Sequence, residues 1–99
     1  MSNKESLLKE EKVLAGKKGK VKHAIRNLIA EKNTFITEIG EGYLKFRKNL
    51  VSKEDFETKF LEVSKEIELA DNKIAMKIAE KKSIYSELKE IEDKLETIS

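Results

Sequence analysis

Apolar residues in the second half of the chain keep one register throughout. Phe56, Phe60, Val63, Ile67, Ala70 and Ile74 follow one another by alternating steps of four and three. The alternation passes through Lys77 and Lys81, then resumes with Ile84, Leu88, Ile91, Leu95 and Ile98. Such steps average close to one helical turn, so these side chains share one face of a helix. The pattern predicts a helix from about 53 to 98. Ser52 stands three residues before Asp55. There its hydroxyl can accept an amide hydrogen that the first turn leaves without a partner.

The first half carries a similar seam through Leu14, Val21, Ile25, Leu28, Phe35, Ile39, Gly42 and Phe46, with Lys32 as a polar intruder. A second row runs beside it at seven-residue spacing: Ile29, Ile36, Tyr43 and Leu50. The apolar face is therefore broader than a two-stranded seam and suits packing against more than one neighbour. The pattern predicts a helix over about 4–49. Gly16 and Gly19 weaken it, so a bend there, or a separate N-terminal helix over 3–15, is compatible with the pattern.

Only KNLVSKED separates the halves. That is room for a tight turn at about 50–53 between antiparallel helices. The expected fold is all-α: residues 1–99 form one domain, a long coiled-coil-like hairpin that completes a bundle with a partner. A continuous helix dimerising along its length satisfies much of the same pattern.

A turn centred near residue 51 sets Gly42 opposite Phe60 or Leu61, Lys32 near Asp71, and Val21 and Ile25 near Lys77–Lys82. The expected core inside the hairpin is Val21, Ile25, Leu28, Phe35, Ile39, Gly42 and Phe46 against Phe56, Phe60, Val63, Ile67, Ile74, Ile84, Leu88 and Ile91. Gly40 and Gly42 each cost roughly 1 kcal/mol relative to alanine inside a helix. Gly42 reads either as room for an aromatic ring or as a tolerated weakness. Gly40 points away from the seam, where a partner backbone can approach closely.

Composition narrows the classes. Charged residues are 40% and hydrophobic residues 38%, which with this periodicity is the make-up of long helices. There is no cysteine, so disulfides and thiolate metal sites are excluded. Neither a signal-peptide run nor a stretch of roughly 18 apolar residues is present, so the expected location is cytoplasmic, with export lacking a cleavable signal left open. The net charge of +2 hides an asymmetry. Residues 12–26 hold Lys12, Lys17, Lys18, Lys20, Lys22 and Arg26 with no acid. Residues 54–71 hold Glu54, Asp55, Glu57, Glu62, Glu66, Glu68 and Asp71 against Lys59 and Lys65.

Catalytic chemistry finds no support in the spacing of Ser, Thr, Asp or Glu, and the single histidine, His23, sits among lysines. No cofactor and no metal are expected, and GKKGK lacks the strand and spacing of a phosphate-binding loop. The expected function is therefore non-enzymatic helix packing. Its candidate interface is Ile29, Ile36, Gly40, Tyr43, Leu50, Lys77, Lys81 and Tyr85. The two seam lysines either snorkel to water or receive acids from a second chain. The competing class binds nucleic acid or an anionic membrane surface through Lys17, Lys18, Lys20, Lys22 and Arg26. A structural homo-oligomeric coiled coil is the third reading.

Two resemblances bear on this. SLLKEEKVL near the start and ELKEIEDKLETI at the close, on two nearly equal helices about a central turn, resemble the small helical proteins encoded beside LXG toxins. More distantly the chain resembles the Trp-x-Gly family of type VII secretion substrates of Gram-positive bacteria. The resemblance covers most of the length. It implies a subunit that pairs with the helices of a secreted toxin and acts as its targeting partner or chaperone. The chain departs from the pattern in lacking Trp-x-Gly at the turn, and in placing Lys89 four residues after Tyr85, where the export signal carries an acid. Separately, EIGEGYLKF with the turn and long helix that follow is similar to helical hairpins that precede zinc ribbons in bacterial proteins. That likeness spans about residues 21–84, and without cysteines it carries no metal over.

Overall fold

The computed structural model describes residues 2–98. It is an all-α antiparallel hairpin of two long helices, α1 (Ser2–Arg47) and α2 (Lys53–Ile98). Helix α1 runs unbroken through Gly16 and Gly19, so residues 3–15 are part of it and do not form a separate helix. Each glycine forfeits only about 1 kcal/mol of propensity, and the apolar seam on both sides recovers it.

Helix α1 stops two residues short of the expected end. Asn49 takes a left-handed backbone with φ of 60°. The amide of Leu50 then donates to the Lys45 carbonyl at 2.9 Å, and that of Asn49 to the Phe46 carbonyl at 3.0 Å. This pair of bonds is the Schellman arrangement, which satisfies carbonyls that a helix end leaves free. Asparagine takes the left-handed conformation at lower cost than most residues because its short polar side chain bonds locally. Across the turn, the Asp55 amide donates to Ser52 Oγ at 3.0 Å and the Phe56 amide to the Ser52 carbonyl at 3.0 Å. Both ends of the five-residue turn are thus closed by hydrogen bonds, and α2 begins at the capped position.

The chain forms two compact units, Met1–Ile25 with Met76–Ser99, and Arg26–Ala75. In the first, Leu14, Val21, Ile84, Leu88 and Ile91 are buried together, and Leu7, Ile25 and Leu95 pack on them. In the second, Val63 and Ala70 are buried. Leu28, Phe35, Ile39, Gly42, Phe46, Phe56, Ile67 and Ile74 are half-buried there. Among the described residues no large side chain is fully enclosed. Two helices cover only one stripe of each other, so half-burial is the limit this architecture reaches.

Phe60 departs from its expected core position: it is 44% exposed. The reason is Gly42. A β-carbon on Gly42 would meet Phe56 at 3.7 Å, so Phe56, rather than Phe60 or Leu61, occupies the space the glycine leaves. Phe56 stacks on Phe46 with ring centroids 5.3 Å apart, and Phe60 leans on its outer side at 6.1 Å. The gap admits one ring, and the nearer phenylalanine fills it. No helix among the described residues is long and apolar enough to cross a membrane.

Candidate interaction surface

The surface is built from exposed positions of α1 beside the seam, one of which, Tyr43, still touches Phe56 of α2 with ring centroids 6.1 Å apart. One step round from the seam, Ile29, Ala30, Asn33, Ile36, Thr37, Gly40, Tyr43 and Leu44 form a stripe with helical spacing. All eight are exposed, Ile36 by 48%. None carries a charge, in a chain where 40% of residues do. The stripe covers about 100° of the helix surface, the width of an apolar face that normally lies against protein. It runs for roughly 22 Å at 1.5 Å per residue.

The Thr37 hydroxyl donates to the Asn33 carbonyl at 2.9 Å, so its hydrogen goes to the helix's own backbone. Gly40 has nothing within 4 Å of where a β-carbon would sit. Arg26 bounds one end of the stripe and Arg47 the other. The Arg47 guanidinium folds back over Tyr43, 5.9 Å from the ring centre, with Nη1 3.5 Å from the phenolic oxygen. Leu50, in the turn, is exposed as well.

Of the proposed interface residues, Ile29, Ile36, Gly40, Tyr43 and Leu50 therefore lie exposed in the unit that carries the turn. Ala30, Asn33, Thr37 and Leu44 belong with them but lie off the seven-residue row of Ile29, Ile36, Tyr43 and Leu50. The signal that finds them is the absence of charge at three adjacent heptad positions. Exposed Leu61 and Leu69 on α2 were missed for a related reason: they lie behind the seam, with acids around them.

The other unit holds the lysines. Lys77 is half-buried and pairs with Glu80 of its own helix at 3.2 Å, which answers one seam lysine within the chain. Lys81 does not follow it. Its Nζ lies 5.8 Å from the centre of the Tyr85 ring, and Lys18 and Lys22 reach the same ring from α1 at 5.2 and 5.8 Å. Tyr85 thus gathers three ammonium groups from two helices. The hydrogen-bonding pull of Lys22 on the phenolic oxygen, then the positive fields of Lys22, Lys18 and Lys81, hold its hydroxyl below the ordinary tyrosine range. Lys17, Lys20, His23 and Arg26 are exposed, and Lys17 and Lys20 line a shallow cavity with Val21, Lys77 and Glu80. The candidate anion-binding residues therefore divide, with Lys18 and Lys22 forming a site together with Lys81.

Among the described residues, Lys32 forms a salt bridge across the helices with Asp71, at 2.6 Å. It links the intruding lysine of the α1 seam to α2 within the turn-bearing unit, a polar pairing of the kind that fixes register.

Compared with protein-family models, curated proteins and solved structures, the chain matches none.

Proposed function

We propose that this chain is a non-enzymatic interaction module whose α1 packs against a helix of a partner protein. The observation that carries the reading is the exposed, uncharged stripe from Ile29 to Leu44. Water gains nothing from such a face, and burying it against an apolar helix contributes about 25 cal/mol per Å² removed from solvent. A partner helix with small apolar residues would approach closely at Gly40 and take Ile36 and Tyr43 as anchors, in the manner of helix-in-groove recognition. The concrete form of the reading is a targeting or chaperone subunit for a secreted helical protein, an LXG-type toxin. That form rests on the resemblance of the terminal runs.

The test is the native size of the tagged chain in extracts of cells that make it, followed by sedimentation. The wild-type chain is expected to run as a complex at both low and high salt. Ile36→Asp or Tyr43→Asp is expected to release it. A complex that survives both substitutions contradicts the reading, and so does one that dissolves in salt but tolerates them.

A further inference from the structure

We infer that the Lys18, Lys22, Lys81 and Tyr85 cluster is a docking site for the acidic α2 segment of a second copy of this chain. The inference rests on the reading of the chain as a helix-packing module and names one partner for it. It concerns a surface separate from the α1 stripe.

The cluster is an unfinished electrostatic arrangement. Three ammonium groups converge on one ring, and no carboxylate of a described residue pairs with any of them. Three positive charges gathered at one place attract a facing anion. The surroundings say what kind of anion. Ile78 stands one heptad before Tyr85 on the same row of α2 and is also exposed. The occupant must therefore offer apolar contact as well as negative charge. A nucleic acid strand suits the cluster poorly. Arginine forks are absent from it, and the Tyr85 ring on which a base would stack is already attended by lysines.

This chain contains an element of the required chemistry. The outer face of α2 in the turn-bearing unit carries exposed Leu61 and Leu69 with exposed Glu62 and Glu68 between them. Neither glutamate takes part in an ion pair among the described residues. Leu61 and Leu69 are spaced roughly 12 Å apart along the helix, and Ile78 and Tyr85 roughly 10 Å, so two apolar contacts can form at once with the acids set over the lysines. Each copy carries both surfaces. A two-fold pair therefore makes the contact twice, whereas an arrangement that does not close propagates into longer assemblies.

The test is molar mass by light scattering over a dilution series, at about 30 mM and about 500 mM salt, where the screening length differs severalfold. The inference predicts a concentration-dependent dimer or larger assembly at low salt, weakened roughly tenfold or more at high salt. Lys18→Glu with Lys22→Glu in one chain, and Glu62→Lys with Glu68→Lys in another, are each expected to be monomeric alone. Mixing the two is expected to restore association, because each reversed surface then faces its complement. Far-ultraviolet circular dichroism checks that both variants stay helical. Should either lose helicity, the neutral versions Lys18→Gln with Lys22→Gln and Glu62→Gln with Glu68→Gln replace them, and each is then expected to lose the low-salt assembly. A monomer at both salts overturns the inference, as does an assembly indifferent to salt and charge, or a mixture of reversed variants that fails to associate. A monomer whose complex in cell extract is still broken by Ile36→Asp overturns this inference alone and leaves the helix-packing reading standing.

Discussion

The ring of Phe56 lies 3.7 Å from where a β-carbon on Gly42 would sit. That is ordinary van der Waals contact, so one methyl fits and a larger side chain does not. Gly42→Ala is expected to raise stability by up to about 1 kcal/mol through helix propensity. Gly42→Leu is expected to lower it by about 1–3 kcal/mol, because Phe56 must leave its stack on Phe46. Thermal denaturation of the two variants checks both signs.

Gly40 presents the opposite case, with open space around it. Gly40→Leu is expected to leave the isolated chain at least as stable as wild type, since nothing within the chain is displaced. The same substitution is expected to weaken the complex in cell extract, because the added side chain holds a partner helix away. A variant that leaves the complex intact would show that no partner approaches there.

Asn49 and Ser52 hold the turn. Asn49→Gly is expected to be neutral or mildly stabilising, while Asn49→Val forces a branched residue into the left-handed region at a cost of roughly 1–2 kcal/mol. Ser52→Ala removes the bond to the Asp55 amide and is expected to cost about 1 kcal/mol. Chemical denaturation resolves differences of this size.

The Lys32 and Asp71 side chains are 32% and 49% exposed to water, so their coupling is expected to be modest. A double-mutant cycle with Lys32→Met and Asp71→Asn should give about 0.5–1 kcal/mol, falling as salt is raised. A coupling that salt leaves unchanged would point to a buried pair instead.

Tyr85 is expected to ionise below the ordinary tyrosine value of 10.0, with Lys22 the largest cause. Its depressed pKa favours the folded state only where the phenolate forms. The contribution is complete above the unfolded value of 10.0, is lost as pH falls through the folded pKa, and is absent at neutral pH. An alkaline absorbance titration of the Tyr43→Phe chain reads Tyr85 alone. Lys22→Met is expected to move the midpoint upward, and an unchanged midpoint would remove Lys22 as the cause.

The seams from Leu14 to Phe46 and from Phe56 to Leu95 were legible because a helix repeats its neighbours every three or four residues. The Ser52 cap was legible for the same local reason. The end of α1 was less so, since Asn49 fits either one more helical residue or a left-handed stop, and only the carbonyl bonds decide. Phe60 misled because seam spacing says which residues face inward and not which of two rings reaches a gap first. The cluster at Tyr85 was half visible. Register brought the basic window toward Lys77–Lys82, but the convergence of Lys18, Lys22 and Lys81 on one ring depends on side-chain reach. The α1 stripe was visible only at Gly40 and at the row of Ile29, Ile36 and Tyr43, because absence of charge at the rows beside it carries no periodic signal of its own.

The most direct test of the account is site-specific photo-cross-linking in living cells, with a photoreactive residue placed at position 36. The control carries it at position 31, an exposed site of α1 whose helical neighbours lie outside the stripe. The account predicts one discrete adduct from position 36, lost when Ile29 or Tyr43 is changed to Asp, and none from position 31. Equal labelling from both positions, or no adduct from position 36 while the chain is present at its normal level, would contradict the claim that the uncharged face of α1 is a partner's seat.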